Sequence, residues 1–97
     1  MSATACPQDH FTILYFASAT SYTRKQRDHL SAPLPVAKLY DILEDKYPGI
    51  TTKVLSSSAL TVNLEYVDVD EEVKRAENGL MIEAGDEVAV IPPVSAG

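Results

Sequence analysis

The residues best suited to chemistry lie in the last twelve positions, residues 86–97, which read DEVAVIPPVSAG. Proline donates no backbone N–H and has a fixed φ, so Pro92 and Pro93 predict that the preceding strand stops and that the chain leaves it extended. Fully extended, the segment from Ile91 to Gly97 would reach roughly 20–25 Å. Such a tail is long enough to enter a channel in another protein.

The reactive group that this tail could deliver is the carboxylate of Gly97. Glycine has no Cβ, so it enters a narrow channel at no steric cost. A carboxylate is a poor electrophile and must first be activated, for example as an acyl adenylate, before a sulfur, oxygen or nitrogen nucleophile can attack it. The alternative is an ordinary frayed C-terminus.

Other chemistry finds little support in the sequence. His10 and His29 are its only histidines, and together with the single cysteine, Cys6, they show no metal-ligand spacing. There is no glycine-rich phosphate loop and no supported Ser/His/Asp pattern. The acidic residues are expected on exposed faces. By elimination, the carboxylate of Gly97 is the leading candidate.

Composition restricts the partners and the compartment. The chain has 97 residues, enough for one small domain, and a net charge of −6 that disfavours nucleic acid and anionic lipid but suits a basic protein pocket. No apolar stretch is long enough to span a bilayer, and no signal core is evident. A single cysteine allows no internal disulfide, which favours a reducing compartment such as the cytosol.

The pattern predicts a flexible N-terminus at residues 1–9, a domain at 10–91 and an extended tail at 92–97. The first strand, residues 10–17, is apolar on both faces, which is typical of a central strand. A short helix with Ser18 as N-cap and a weak second strand at 28–32 should follow, joined by a solvated basic loop at 24–27.

One long helix is expected at residues 34–47, where apolar residues recur every three or four positions and Pro35 suits the first turn. After an irregular helical stretch at 50–58, alternation predicts one continuous strand at 60–68, with Val62, Leu64 and Tyr66 on its buried face. Residues 70–79 read as a charged connection. Gly85-Asp86 should turn the chain into the last strand.

This order predicts an α+β fold, the ubiquitin-like β-grasp, in which one main helix packs across a mixed sheet. The first and last strands are both apolar on two faces, so we expect them side by side at the sheet centre. The tail would then leave from the most rigid part of the domain.

The chain resembles the small, sulfur-carrier subunits of molybdopterin synthase, on the basis of GDEVA at 85–89, IPPVS at 91–95, the final glycine, and VNLEYV at 62–67. The resemblance implies that a ubiquitin-activating-type adenylyltransferase uses ATP to adenylate the terminal glycine, which then becomes a thiocarboxylate. The tail would insert into the large catalytic subunit and deliver sulfur to cyclic pyranopterin monophosphate. It also implies a heterotetramer of two small and two large subunits, no tightly bound cofactor, and a small subunit that is not a catalyst alone.

Carried over to this sequence, Gly97 would be the glycyl adenylate and then the 1-thioglycine. Interface roles are expected for Tyr66 and Ile91, although both could instead belong to the sheet core. The inserted tail would comprise Pro92, Pro93, Val94, Ser95 and Ala96. The chain departs from the family pattern at Ala96, where a second glycine is usual, and at residues 18–22, which lack an expected arginine.

Two other functions share the predicted fold. A ubiquitin-like modifier would attach its activated glycine to a lysine of another protein, and a non-reactive β-grasp interaction module would not use its terminus at all. An iron–sulfur protein is excluded because one cysteine cannot hold a cluster.

Overall fold

The computed structural model describes residues 8–75 and 79–93, and most of these residues belong to short strands and helices. Their order follows the sequence pattern closely in the first half of the chain and departs from it in the second. The strands are β1 (His10–Tyr15), β2 (Arg27–Ser31), β3 (Leu34–Pro35), β4 (Ala59–Val62), β5 (Glu65–Val67), β6 (Met81–Ile82) and β7 (Glu87–Ile91). The helices are α1 (Ser18–Thr23), α2 (Val36–Lys46), α3 (Ile50–Lys53) and α4 (Val69–Arg75).

The main sheet has five strands in the order β2-β1-β7-β4-β5. Strands β1 and β7 run parallel at its centre, and the other neighbours are antiparallel. The expected pairing of the first and last strands is therefore confirmed. A separate pair, β3 with β6, joins the start of α2 to the chain that precedes β7.

The core lies between this sheet and α2. Helical spacing brings Val36, Leu39 and Leu43 to one side of α2, where all three are fully buried. The sheet contributes every second residue of its central strands, for example Phe11 and Ile13 of β1. The alternate residues of the sheet face away from α2, and the functional argument below concerns that opposite face.

Two expectations about helix starts are wrong in detail. Ser18 is not the N-cap of α1: Ala17 occupies that position with φ 51° and no side-chain cap. Helix α1 also ends at Thr23, because Arg24 turns left-handed and donates its N–H to Thr20 O. Pro35 pairs in β3 and immediately precedes α2 instead of opening its first turn.

The predicted continuous strand at 60–68 is a hairpin. Val62 pairs with Glu65, so Asn63 and Leu64 alone connect β4 to β5, and both have positive φ. Leu64 and Tyr66 are consequently exposed, contrary to the expectation that they share a buried face with Val62. The alternating pattern predicts one strand because a hydrophobic period of 2 continues unchanged through a two-residue turn.

The charged connection predicted at 70–79 begins as helix α4. Its first turn holds Asp70, Glu71 and Glu72, and its last turn holds Lys74 and Arg75, which places each charge favourably in the helix dipole. Among residues 8–75 and 79–93, none of the helices has the length and the apolar composition that a membrane span requires.

Two carboxylates, those of Asp28 and Glu72, are buried and contradict the expectation that acidic residues lie on exposed faces. Asp28 is 9% exposed, and its Oδ2 accepts hydrogen bonds from the hydroxyls of Tyr15 (2.8 Å) and Tyr47 (2.5 Å). Lys25 Nζ lies 3.2 Å from Oδ1. Burial opposes the charge, but the hydrogen bonds from Tyr47, Tyr15 and Lys25 outweigh it and hold the pKa of Asp28 below its usual value. Burial, followed by the hydrogen bond to Asp28, raises the pKa of both tyrosines.

We expect Asp28→Asn to lower the free energy of unfolding at pH 7 by about 1–3 kcal/mol, because an amide oxygen is a weaker acceptor than a carboxylate for the hydroxyls of Tyr15 and Tyr47. The folded-state pKa is depressed, so the carboxylate stabilises the fold above the unfolded value of about 4 and loses this effect as pH falls through the folded pKa. Urea unfolding at pH 7 and pH 3 measures the difference. Asp41→Asn, at an exposed position of α2, is the control. If Asp28→Asn lowers the free energy of unfolding equally at both pH values, the account is contradicted.

Candidate functional site: the outer face and the tail

The chain leaves the domain from its central strand. Strand β7 is flanked by β1 and β4, and its residues Val88, Ala89 and Val90 are buried. It ends at Ile91, which is half-buried, directly before Pro92 and Pro93. Because both edges of β7 are hydrogen-bonded, the position from which the tail departs is fixed by the whole sheet.

The predicted site residues divide into two groups. Tyr66, Ile91, Pro92 and Pro93 belong to the described residues, where Pro92 is buried and Pro93 exposed. The tail residues that would carry the chemistry lie outside the described residues, and their roles stay predictions; they are Val94, Ser95, Ala96 and Gly97.

Apolar side chains gather on the sheet face opposite α2. By register, Leu14, Ala89, Thr61 and Tyr66 follow one another across four neighbouring strands. Tyr66 is 76% exposed, so it does not belong to the core. We call this surface the outer face and define it by the apolar residues that line its depression of about 310 Å³: Leu14, Phe16, Leu64, Tyr66, Ala89 and Ile91.

The outer face adjoins the exit of the tail. Phe16 N–H donates to Val90 O (3.3 Å), which places Phe16 beside the last residues of β7, and its side chain is 46% exposed. Ile91 lies in the same depression. Exposed apolar side chains gathered in one depression are typical of a protein interaction site. Sequence reasoning missed Phe16, although its place at the end of an apolar strand was a usable signal.

The far end of the outer face is held by Asn63. Its N–H donates to Glu87 O (2.7 Å), and its Nδ2 donates to Asp86 Oδ1 (3.1 Å). Its Oδ1 accepts the N–H of Glu87 (3.0 Å). The turn between β4 and β5 is thus fastened to the first residues of β7.

A second concave surface is acidic. It lies between β5, α4 and β6, and its carboxylates come from Glu65, Asp68, Glu71, Glu72 and Asp86. The carboxylate of Glu72 accepts a hydrogen bond from the N–H of Leu80, so one of its oxygens already has a partner. Within residues 8–75 and 79–93, no group of three or more His, Cys, Asp or Glu side chains could hold a metal ion.

A five-stranded mixed sheet with parallel central strands, one main helix across it and a tail leaving the central strand defines a ubiquitin-like β-grasp protein. Comparison of the sequence with known proteins assigns the chain to a particular family within this fold. The family model described as ThiS family matches residues 13–97. A molybdopterin synthase sulfur carrier subunit from Phaeosphaeria nodorum is 52% identical, with 100% of both chains covered. The chain therefore belongs to the ThiS family and, within it, to the molybdopterin synthase sulfur carrier subunits.

Solved structures agree on the fold. The small archaeal modifier protein 1 of Haloferax volcanii superimposes with a TM-score of 0.70 at 21% identity, covering 91% of this chain and 99% of that one. A chain from the protein–protein complex of subunits 1 and 2 of the molybdopterin-converting factor from Helicobacter pylori superimposes with a TM-score of 0.59 at 20% identity. The superposition covers 91% of this chain and 99% of that one. At these identities the likeness concerns the fold alone.

Proposed function

We propose that this chain carries sulfur on the carboxyl group of Gly97 during synthesis of the molybdenum cofactor, in the cytosol. The carboxylate attacks ATP on an adenylyltransferase of the ubiquitin-activating type, which forms the acyl adenylate and releases pyrophosphate. A sulfur nucleophile then displaces AMP and leaves a thiocarboxylate. At the synthase, this sulfur attacks a carbon of cyclic pyranopterin monophosphate and displaces an oxygen substituent, whose bond to that carbon breaks. Water then hydrolyses the resulting thioester, which leaves the sulfur on the pterin and restores the carboxylate of Gly97.

The observation that carries this proposal is the position of the outer face beside the exit of the tail. A partner that covers Phe16 and Ile91 also holds the start of the tail, because Ile91 is the last residue of β7 and Phe16 is hydrogen-bonded to Val90 beside it. From there an extended chain of six residues covers roughly 20 Å. Docking thus holds the sulfur atom close to its acceptor, whereas a free sulfur compound would have to find that position by diffusion.

We propose the large catalytic subunit of the synthase as this partner, in an assembly of two small and two large subunits. A protein of the same fold is found in complex with its partner subunit in the molybdopterin-converting factor of Helicobacter pylori. Tyr66 and Ile91 would be contact residues there, and Pro92 to Ala96 would line the channel. Ala96 adds one methyl group where the family usually has glycine, and we propose that the channel accommodates it.

A second candidate is protein modification, which the likeness to a small archaeal modifier protein favours. In that case the acyl adenylate would pass to a lysine of another protein instead of to sulfur. Adenylation of Gly97 is common to both functions. They differ only in the nucleophile that follows.

Intact-protein mass spectrometry after incubation with the activating enzyme, ATP and a sulfur donor separates the two. We expect the mass change for replacement of one oxygen by sulfur, located on Gly97 by fragmentation, and no change without ATP. Adducts between this chain and lysines of other proteins, with no thiocarboxylate, would favour the modifier. An unchanged mass would refute both functions.

A further inference from the structure

The turn between β4 and β5 holds a leucine in a backbone conformation that suits glycine. Asn63 has φ 51° and Leu64 has φ 72°. A two-residue hairpin turn with positive φ at both positions strongly favours Asn-Gly. This chain has the asparagine but places leucine where glycine is preferred.

The isolated domain gains nothing from this leucine. A left-handed conformation costs an L-residue with a side chain free energy that glycine does not lose. Leu64 is 84% exposed, so burial does not offset that cost. Strain held at an exposed apolar side chain suggests a contact that forms only in a complex.

The strained turn is nevertheless fixed in place. Asn63 is hydrogen-bonded to Asp86 and Glu87 through both ends of its amide. Leu64 is therefore presented from a rigid turn at the rim of the same depression that contains Tyr66. Binding of a partner to Leu64 therefore does not have to order the backbone of the turn.

We propose that Leu64 is a second anchor, which inserts into an apolar pocket of the large catalytic subunit at the end of the outer face remote from the tail. This inference rests on the proposed function. The turn is bonded to Glu87, and the tail leaves after Ile91, four residues and about 13 Å further along β7. Two contacts so far apart fix the orientation of the subunit, and hence the direction in which the tail enters.

The proposal predicts that Leu64→Gly affects stability and binding in opposite directions. The thermal midpoint should rise by about 4 °C or more, because the left-handed position is relieved. The dissociation constant for the large subunit should increase about tenfold or more, because an apolar anchor is lost.

Three further variants make the test specific. Leu64→Met keeps an apolar side chain in the same conformation and should retain both the affinity and the thermal midpoint. Asparagine tolerates a left-handed backbone. Leu64→Asn should therefore keep the turn ordered but lose affinity for the large subunit, as Leu64→Gly does. Val73→Ala, at a 55% exposed apolar position of α4, should change neither property.

Calorimetric titration with the purified large subunit and thermal unfolding give the two readouts. Wild-type affinity in Leu64→Gly or Leu64→Asn would overturn the inference, and so would a defect seen only with the activating enzyme. Either result leaves the proposed function intact as long as the wild-type chain binds the large subunit and transfers sulfur. If the wild-type chain does neither, the proposed function itself fails.

Discussion

Deletion of Gly97 is expected to lower sulfur transfer by the reconstituted synthase by more than about a hundredfold, because the reacting atom would stop about 3.5 Å short of its position. Affinity for the large subunit and the free energy of unfolding should change little, since β7 ends at Ile91 and the outer face precedes the tail. Product formation, titration calorimetry and urea unfolding measure the three quantities.

The length of the tail and the identity of its last residue can be separated. A chain with Ala96→Gly and without Gly97 still ends in glycine but is one residue shorter, and we expect it to be as inactive as the simple deletion. The single change Ala96→Gly in the full-length chain should retain activity. Sulfur transfer by either shortened chain would contradict the assignment of Gly97.

Introducing charge into the outer face should have the second largest effect. Phe16→Glu combined with Tyr66→Glu places two carboxylates where we expect an apolar contact, and burying them without partners costs several kcal/mol. The dissociation constant for the large subunit should increase by a factor of about a hundred or more, equivalent to about 3 kcal/mol. The domain should still fold, because both side chains are substantially exposed.

Val73→Glu is the matched control for this experiment. Val73 is an exposed apolar residue of α4 and does not line the depression of the outer face. One added carboxylate there should leave the affinity within about twofold, as is usual for surface substitutions, whereas Phe16→Glu or Tyr66→Glu alone, which adds the same charge, should weaken binding. If Val73→Glu and these single variants lower the affinity equally, the outer face is not the docking surface.

The sequence predicted the elements whose patterns extend over many residues. Eleven residues of α2 repeat apolar positions at helical spacing, and β1 and β7 are apolar on both faces, which placed them correctly at the sheet centre. The hairpin was missed because alternation alone does not reveal a turn, and the Asn63-Leu64 pair lacks the glycine that signals one. Helix α4 was missed because its acidic start and basic end, which stabilise a helix, also resemble a solvated loop.

The site was predictable in part. The two prolines indicated where the last strand ends, and Tyr66 was identified as a candidate contact on the strength of its type and position. Whether Tyr66 lay in the core or on the surface depended on the register of β5, which the sequence pattern assigned to the wrong face. Phe16 and Leu64 join the outer face only through strand order and turn geometry, which depend on contacts distant in sequence.

The central claim is that sulfur reaches the cofactor precursor from Gly97. The most direct test mixes the isotopically labelled thiocarboxylate form with the large subunit and cyclic pyranopterin monophosphate, and follows the C-terminal peptide and the product together by mass spectrometry. We predict that label leaves Gly97 as fast as it appears on the pterin, with the carboxylate restored and two labelled sulfur atoms in each finished dithiolene. Product that forms while the label remains on Gly97 would contradict the account.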